Sequence, residues 1–152
     1  MNDVLEDTLE FTAGQLSSHG VSISTDLIDG LPQVVGDRNQ LQQVFANIIM
    51  NARNAVNADG TIQVSTELVP GRDRGGEIKV TVKDNGCGIS EANLERIFEP
   101  FFTTQKVGDG TGLGLSVSYG IVREHGGDIE VETAVGQGSA FAVLLPALDR
   151  TP

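Results

Sequence analysis

Two glycine-rich stretches of this chain carry residue types that suit an anionic, planar ligand. The first, Asp109–Ser116, has three glycines that alternate with other residues before an apolar segment begins. Glycine lets backbone approach a ligand closely and adopt positive φ angles. If a helix begins near Gly112, its first amides lack carbonyl partners and lie at the positive end of the helix dipole. The pattern predicts a phosphate site; a glycine turn that only starts a helix is the alternative.

The second stretch, Asp84–Ile89, follows a predicted strand and also alternates glycines. An ionised carboxylate only accepts hydrogen bonds, so Asp84 suits an exocyclic amine such as that of adenine. The glycines leave backbone that a planar ring can approach. An ordinary Asp-Asn-Gly turn is the alternative interpretation.

Three asparagines on one predicted helix are typical of a site for a hard cation. Asn47, Asn51 and Asn54 fall within about 60° of one another on a helix over residues 38–57, beside its apolar face. An amide oxygen is a neutral ligand that Mg²⁺ accepts together with phosphate and water oxygens. A polar helix surface is the alternative. By the same helical geometry, Arg53 is expected to point away from this stripe.

A cluster of aromatic residues precedes the first glycine-rich stretch. Phe98, Phe101 and Phe102 stand together in a chain that is poor in aromatic residues, and the flexible-looking segment 105–110 follows. An aromatic anchor followed by a glycine-rich loop predicts a hinged lid, with an ordinary loop pinned to the core as the alternative. Lys106 is placed to meet a terminal phosphate as a point charge.

The remaining pattern predicts the elements that position these residues. Apolar spacing indicates amphipathic helices over 3–17 and 38–57, the second with Asp37 at its N-cap, and a short helix over 90–96. A helix from Gly112 to about Glu124 is apolar nearly all round and should be buried on most sides. Alternation predicts five strands, at about residues 21–25, 61–66, 77–83, 128–133 and 139–145.

Composition narrows the class of protein. The 152 residues carry a net charge of −11, which argues against nucleic acid as a partner because such binding depends on clustered Lys and Arg. No apolar run approaches a membrane span, and a single cysteine fits a reducing compartment. We therefore expect one domain in the cytoplasm, either free or as the cytoplasmic part of a membrane-anchored protein.

The order of these motifs resembles the four nucleotide boxes of the gyrase/Hsp90/histidine-kinase/MutL superfamily. Within it, the stretches Asn47–Ala52, Phe98–Thr104 and Gly110–Ser116 resemble the catalytic domain of a two-component sensor histidine kinase. The run Val117–Gly127 is most similar to the nitrogen-sensor subgroup. The resemblance implies an α+β fold, the Bergerat two-layer α/β sandwich, with a mixed sheet of about five strands and about three helices on one face.

The resemblance also implies roles for individual residues. Asn51 would ligate Mg²⁺, and Asn47 would assist at the phosphates or the metal. Asp84 would bind the adenine amino group, and Ser139 stands where the family often has a Thr that reaches adenine through water. The further residues expected to contact ATP are Asn54, Gly86, Gly88, Ile89, Phe101, Thr104, Gly110, Thr111, Gly112, Leu113 and Gly114.

Two departures from the family pattern concern the positive charge at the γ-phosphate. Histidine kinases often carry a Lys three residues after the second Asn, and that position is Asn54 here. Lys106, the expected catalytic cation, follows the Thr-Thr pair one position later than is common. Which cation meets the γ-phosphate therefore stays open.

The resemblance implies transfer of the γ-phosphoryl group of Mg-ATP to a histidine on a separate dimerisation/phosphoacceptor domain, with a response regulator downstream. No stretch of residues 1–152 reads as such an acceptor, so we expect the chain to be the catalytic domain alone, monomeric and without direct membrane contact. The alternatives are an ATP hydrolase of the gyrase or Hsp90 kind and a non-enzymatic ATP-responsive module. Hydrolysis is disfavoured because Asn47 stands where those relatives have a water-activating Glu, and an amide takes no proton at neutral pH.

Overall fold

The computed structural model describes residues 1–72, 75–104 and 112–148. Within these ranges five strands form one sheet in the spatial order β1-β2-β3-β5-β4. The β1–β2 pair is parallel and the other pairs are antiparallel. The strands are β1 (Ser22–Leu27), β2 (Thr61–Pro70), β3 (Gly76–Asp84), β4 (Asp128–Ala134) and β5 (Gly138–Pro146), and the helices are α1 (Asn2–Ser17), α2 (Arg38–Ala55), α3 (Glu91–Leu94) and α4 (Gly114–Glu124).

The three longer helices cover one face of the sheet. Helix α2 contacts α1 on one side and α4 on the other, and it also contacts β2, β3 and β5. Side chains alternate along β3, so that Ile78, Val80 and Val82 are buried beneath the helices while those between them face the opposite side. The predicted two-layer α/β sandwich with a mixed sheet is confirmed.

Helix α2 forms for the reasons that its sequence indicates. The Asp37 carboxylate caps it by accepting a hydrogen bond from the Gln40 amide at 3.0 Å. Its apolar face, which includes Phe45 and Ile48, is buried in the core. Because this face is buried, the polar stripe at its edge (Asn47, Asn51 and Asn54) lies near Asp84, the last residue of β3.

Helix α4 differs from the prediction in two respects. It begins at Gly114 rather than Gly112, because Gly112 adopts φ +70°, outside the helical region. It is also less buried than its composition suggested, since Val117 and Tyr119 are 39% and 37% exposed. Helix α4 packs chiefly on α2 and β4, so part of its apolar surface stays in contact with solvent.

The strands run further than the alternation alone predicts. Strand β2 extends to Pro70, because backbone pairing with β3 continues through Leu68↔Ile78 to Pro70↔Gly76 after the buried alternation has ended. No helix in the described part of the chain is long and apolar enough to cross a bilayer.

Candidate functional site

A cavity of about 340 Å³ opens between α2, the ends of β3 and β5, the segment 97–104 and the start of α4. This volume is within the range of small-molecule sites. The cavity brings together residues that are distant in sequence and that were predicted as site residues. Those that line it are Asn47, Asn51, Asn54, Asp84, Gly88, Ile89, Thr104, Gly112, Gly114 and Ser139.

Asp84 supplies a buried carboxylate to the cavity. It ends β3 on the same face as Val82, which places it beneath the helices at 3% exposure. Burial raises the pKa of Asp84 above its ordinary value, although hydrogen bonds from the Gly86 and Ser139 amides act in the opposite direction. The Gly86 amide donates to Oδ1 at 2.8 Å. An ionised group held here has acceptor capacity for a ligand that offers N–H donors.

The loop after Asp84 is held on both sides. The Cys87 amide donates to the Ala55 carbonyl at the end of α2 (3.0 Å), and the Cys87 carbonyl accepts from the Gly136 amide in the β4–β5 turn (2.7 Å). Gly88 adopts φ +72°, and a Cβ there would collide with the Ala134 carbonyl oxygen. The loop is therefore a fixed wall, and only glycine fits where it crosses the hairpin.

The asparagine stripe lies along the cavity, but its three members have different partners. Asn47 donates from Nδ2 to the Gly114 carbonyl (3.2 Å) and to Ser118 Oγ (3.1 Å), which ties α2 to the first turn of α4. No described residue donates to the side-chain oxygen of Asn47 or forms a hydrogen bond with the carboxamide of Asn51. Two half-buried amide oxygens at the cavity are thus available to a ligand.

The position of Arg53 corrects the sequence analysis. Its guanidinium was expected to point away from the stripe, yet Nε and Nη2 donate to Asn54 Oδ1 at 3.2 and 2.8 Å. The long Arg side chain reaches around the helix in a way that the helical angle of its Cα does not reveal. Among the described residues that line the cavity none is Lys or Arg, so this guanidinium is a cation in contact with the lining.

The start of α4 closes another side of the site. Leu113 is the N-cap residue, and its apolar side chain offers no capping group for the amides of the first turn. The Phe101 amide donates to the Gly112 carbonyl at 2.9 Å. A Cβ at Gly112 would lie within 2.7 Å of three backbone atoms of Phe101. This close contact joins the aromatic segment to the glycine-rich stretch.

Several predicted site residues do not line the cavity. Gly86 acts through its amide on Asp84, and Leu113 lies beside the lining as the cap of α4. Phe101 has a positive φ of 67° and is 74% exposed; it does not line the cavity, and its contact with ATP stays a prediction. Lys106, Gly110 and Thr111, together with the predicted lid, lie outside the described residues.

The structure also adds residues that the sequence analysis missed. The hydroxyl of Thr133 accepts a hydrogen bond from the Ile89 amide at 2.9 Å and lies 2.8 Å from Ser139 Oγ. Its place next to Ser139 follows from strand register, which the sequence does not display. The further lining residues are Met50, Ala55, Cys87, Asn93, Ile97, Phe102, Thr103, Leu115 and Phe141. The sequence did contain a signal for Phe141. This residue lies two positions after Ser139 on β5, so both side chains are on the same face of the strand.

The donor set of the cavity fits a magnesium–phosphate ligand. Asn51 and Asn47 offer neutral oxygens, and neutral oxygens leave room for the negative charge of a polyphosphate beside the ion. The described residues contain no group of three or more His, Cys, Asp and Glu side chains that could hold a metal by themselves. An ion here would need oxygens from the ligand and water to complete its coordination.

A two-layer sandwich with a cavity between α2 and the segment 97–104 defines a nucleotide-binding domain of the Bergerat class. The chain belongs to the family described as histidine kinase-, DNA gyrase B-, and HSP90-like ATPases, whose sequence model matches residues 36–149. Within that family it is of the histidine kinase catalytic-domain type, as its relatives and structural neighbours show.

The comparisons with individual proteins agree on this type. Sporulation kinase E of Bacillus subtilis (strain 168) is 38% identical over 146 residues, which cover 96% of this chain and 19% of the relative. The mycobacterial sensor histidine kinase MprB superposes with a TM-score of 0.84 at 26% identity and covers 97% of this chain and 95% of that one. Full-length ShkA in complex with AMPPNP gives a TM-score of 0.82 at 26% identity, covering 99% of this chain and 31% of that one. The chain thus spans about a fifth of the length of the sporulation kinase.

Proposed function

We propose that this chain binds Mg-ATP in the cavity and transfers the γ-phosphoryl group to a histidine on a separate dimerisation/phosphoacceptor domain. The observation that carries the proposal is the pairing of a buried Asp84 carboxylate at one end of the cavity with the Asn47 and Asn51 carboxamides along it. The first end suits an amino-substituted base, and the second suits a triphosphate with its cation. The ShkA complex with AMPPNP, an ATP analogue bound by a protein of the same fold, supports this choice of ligand.

At the base end, Asp84 would accept a hydrogen bond from the adenine amino group. Ser139 faces Asp84 across the β3–β5 pair and would reach the same edge of the base. Gly88 and Ile89 would form the wall on which the ring rests, with Gly86 holding Asp84 in place through its amide. Flat backbone without side chains permits a ring to lie close to this loop.

At the phosphate end, Asn51 would ligate Mg²⁺ with its amide oxygen, and Asn47 would add a second oxygen. The ion would neutralise part of the triphosphate charge when it is bound. Because Asn47 also donates to the Gly114 carbonyl, it would align the cation site with the amides of Gly114 and Leu115. Those amides lie at the positive end of α4 and suit the phosphate oxygens.

The positive charge at the terminal phosphate would come from Lys106 or from Arg53. Arg53 is already in contact with Asn54, which lines the cavity, and its guanidinium can bind a phosphate through two N–H groups. Replacing each by Met and comparing transfer rates would separate the two candidates. The larger loss of transfer at saturating ATP identifies the residue that acts at the γ-phosphate.

The reaction breaks the bond between the γ-phosphorus and the β–γ bridging oxygen and forms a bond from phosphorus to an imidazole nitrogen, with ADP leaving. Such transfer depends on alignment and charge neutralisation rather than on covalent help from the protein. The chain's own residues would hold the base, the cation and the phosphates in line. The nucleophile, and a base if one is needed, would belong to the acceptor domain.

The hydrolase alternative is disfavoured by the contacts of Asn47. Its amide nitrogen is engaged by the Gly114 carbonyl and Ser118, and a carboxamide accepts no proton from water at neutral pH. The ATP-responsive module is the other alternative. It would show binding without transfer or release of phosphate.

Incubation with γ-labelled ATP, Mg²⁺ and a candidate phosphoacceptor domain separates the three functions. Acid-labile label on that domain supports the kinase, free phosphate without protein label supports the hydrolase, and binding with neither supports the module. The control is the same acceptor domain with its histidine replaced by Gln, which should take up no label. Label that persists on this control would contradict transfer to histidine.

We further propose that the partners are the acceptor domain of a parent kinase and a downstream response regulator, and that the domain works as a monomer in the cytoplasm. The names of the relatives support a sensor kinase as parent. The nitrogen-sensor subgroup stays a prediction from the Val117–Gly127 run, as does the assignment of residues 1–152 to one domain.

A further inference from the structure

A polar row crosses the sheet at the base end of the cavity. Strand register places Asp84 opposite Ser139 on β5 and Ser139 opposite Thr133 on β4. All three side chains lie on the helix-facing side of the sheet. Each is two residues from a residue of the core on its own strand, namely Val82, Phe141 and Val131, and side chains two residues apart share a face. Asp84 and Ser139 line the cavity, whereas Thr133 lies behind them.

The hydroxyl of Thr133 has three neighbours but a single proton. The Ile89 amide donates to it at 2.9 Å, the Gly138 carbonyl lies at 3.1 Å, and Ser139 Oγ lies at 2.8 Å. A hydroxyl provides one donor and two acceptor positions. The Gly138 carbonyl can only accept, so all three contacts are satisfied together only when Thr133 donates to Gly138 and Ser139 donates to Thr133.

This arrangement decides what Ser139 offers to a ligand. Once its proton is directed to Thr133, the Ser139 oxygen faces the cavity as an acceptor. Asp84 is an acceptor too when it is ionised. The base end of the cavity then presents two acceptors, which suit the two N–H groups of a 6-amino purine and repel the oxygen of a 6-oxo purine.

We propose that Thr133 is a positioning residue that sets the nucleobase selectivity of the site through Ser139. It also holds the wall of the site, because it is the side-chain partner of the Ile89 amide at the end of the loop that leaves Asp84. The inference rests on the proposed binding of ATP. It adds that discrimination between amino and oxo purines depends on a side chain that does not touch the base.

The test compares the affinities of the full chain for ATP and inosine triphosphate by calorimetry in the presence of Mg²⁺. These nucleotides differ in the 6-amino and 6-oxo groups. In Thr133→Val the Ser139 proton is released and can be donated to a 6-oxo group, so the ratio of ATP to inosine triphosphate affinity should fall by about tenfold, the change that one hydrogen bond makes. Thr133→Ser keeps the hydroxyl and should restore the wild-type ratio.

Two controls separate this role from a purely structural one. Thr81→Val makes the same exchange on the opposite face of β3 and should leave the ratio unchanged. In a Ser139→Ala background, Thr133→Val should no longer change the ratio, because the residue through which it acts is gone. If Thr133→Val fails to show a cooperative thermal transition, Thr133→Ala supplies the test, since it also removes the hydroxyl that receives the Ser139 proton and should lower the ratio in the same way.

The outcomes are distinguishable from failure of the proposed function. Wild-type protein that gives no heat with Mg-ATP contradicts ATP binding itself. The selectivity role of Thr133 alone is overturned if wild-type protein binds ATP but Thr133→Val does not change the ratio of the two affinities. That result includes an equal loss for both nucleotides and no loss for either.

Discussion

Replacement of Asp84 by Asn tests the base end of the site most directly. The substitution keeps the shape of the side chain but exchanges an acceptor oxygen for an NH₂ group. A hydrogen bond to a charged acceptor contributes about 1.5–3 kcal/mol, so ATP affinity should fall roughly 10- to 150-fold. The loss should be specific to the nucleotide, because the Gly86 amide can still donate to the remaining oxygen.

The same substitution should not weaken the fold at neutral pH. The pKa of Asp84 in the folded protein is raised, chiefly by burial, above its ordinary value of 3.8. Below that value both folded and unfolded states are protonated at this residue. As the pH rises through the raised pKa, the folded state must ionise a buried carboxyl, so wild-type stability falls relative to the Asn variant. The difference in unfolding free energy should therefore shift in favour of Asp84→Asn between pH 4 and pH 7.

Calorimetric titration with Mg-ATP measures the first effect, and denaturant unfolding at the two pH values measures the second. Asp26→Asn is the matched control, because it removes the same charge from an exposed position on β1 and should change neither quantity appreciably. An Asp84→Asn variant that folds and binds ATP within about twofold of wild type would refute the role of this carboxylate, since twofold corresponds to only ~0.4 kcal/mol.

Three other substitutions probe the remaining parts of the structure. Asn51→Ala should weaken ATP binding about tenfold with Mg²⁺ present, a loss of ~1.4 kcal/mol, and leave binding in EDTA unchanged; equal losses in both titrations would contradict a metal ligand. Gly112→Ala should lower the free energy of unfolding by about 1–2 kcal/mol, because a side chain is strained at positive φ and would collide with Phe101; an unchanged thermal midpoint would argue against this contact. A hydrogen bond from Arg72 is the main reason that the pKa of Asp128 lies below its ordinary value, so Arg72→Met should raise that pKa in a carboxyl NMR titration. Wild type should be more stable than Arg72→Met at pH 7, and the two should converge as the pH falls through the lowered pKa of Asp128.

Local patterns predicted the parts of the site that lie within one element. The period of α2 placed Asn47, Asn51 and Asn54 on one stripe beside a buried face, since a helix repeats every 3.6 residues. Asp84 was recognisable because an acid ended an alternating strand just before a glycine-rich loop. Both features depend on neighbours in sequence, and both are present in the structure at the cavity.

Contacts between distant elements could not be read in this way. Asn47 and Gly114 are 67 residues apart, and their hydrogen bond exists because α2 and α4 pack side by side. The interaction of Arg53 with Asn54 depends on a rotamer that the helical angle does not specify. Phe101 was expected to contact ATP because of its motif, but in the structure it is exposed and does not line the cavity.

The sequence by itself determined the class of fold, the order of the main elements and the chemical types assembled for a nucleotide, because periodicity, capping and glycine spacing act over a few residues. Only the tertiary structure decided that the Thr133 hydroxyl is the hydrogen-bond partner of Ser139 and that the Gly114 carbonyl is the acceptor for Asn47. Those partners are set by strand register and helix packing, where residues far apart in the chain become neighbours through the burial of a shared core.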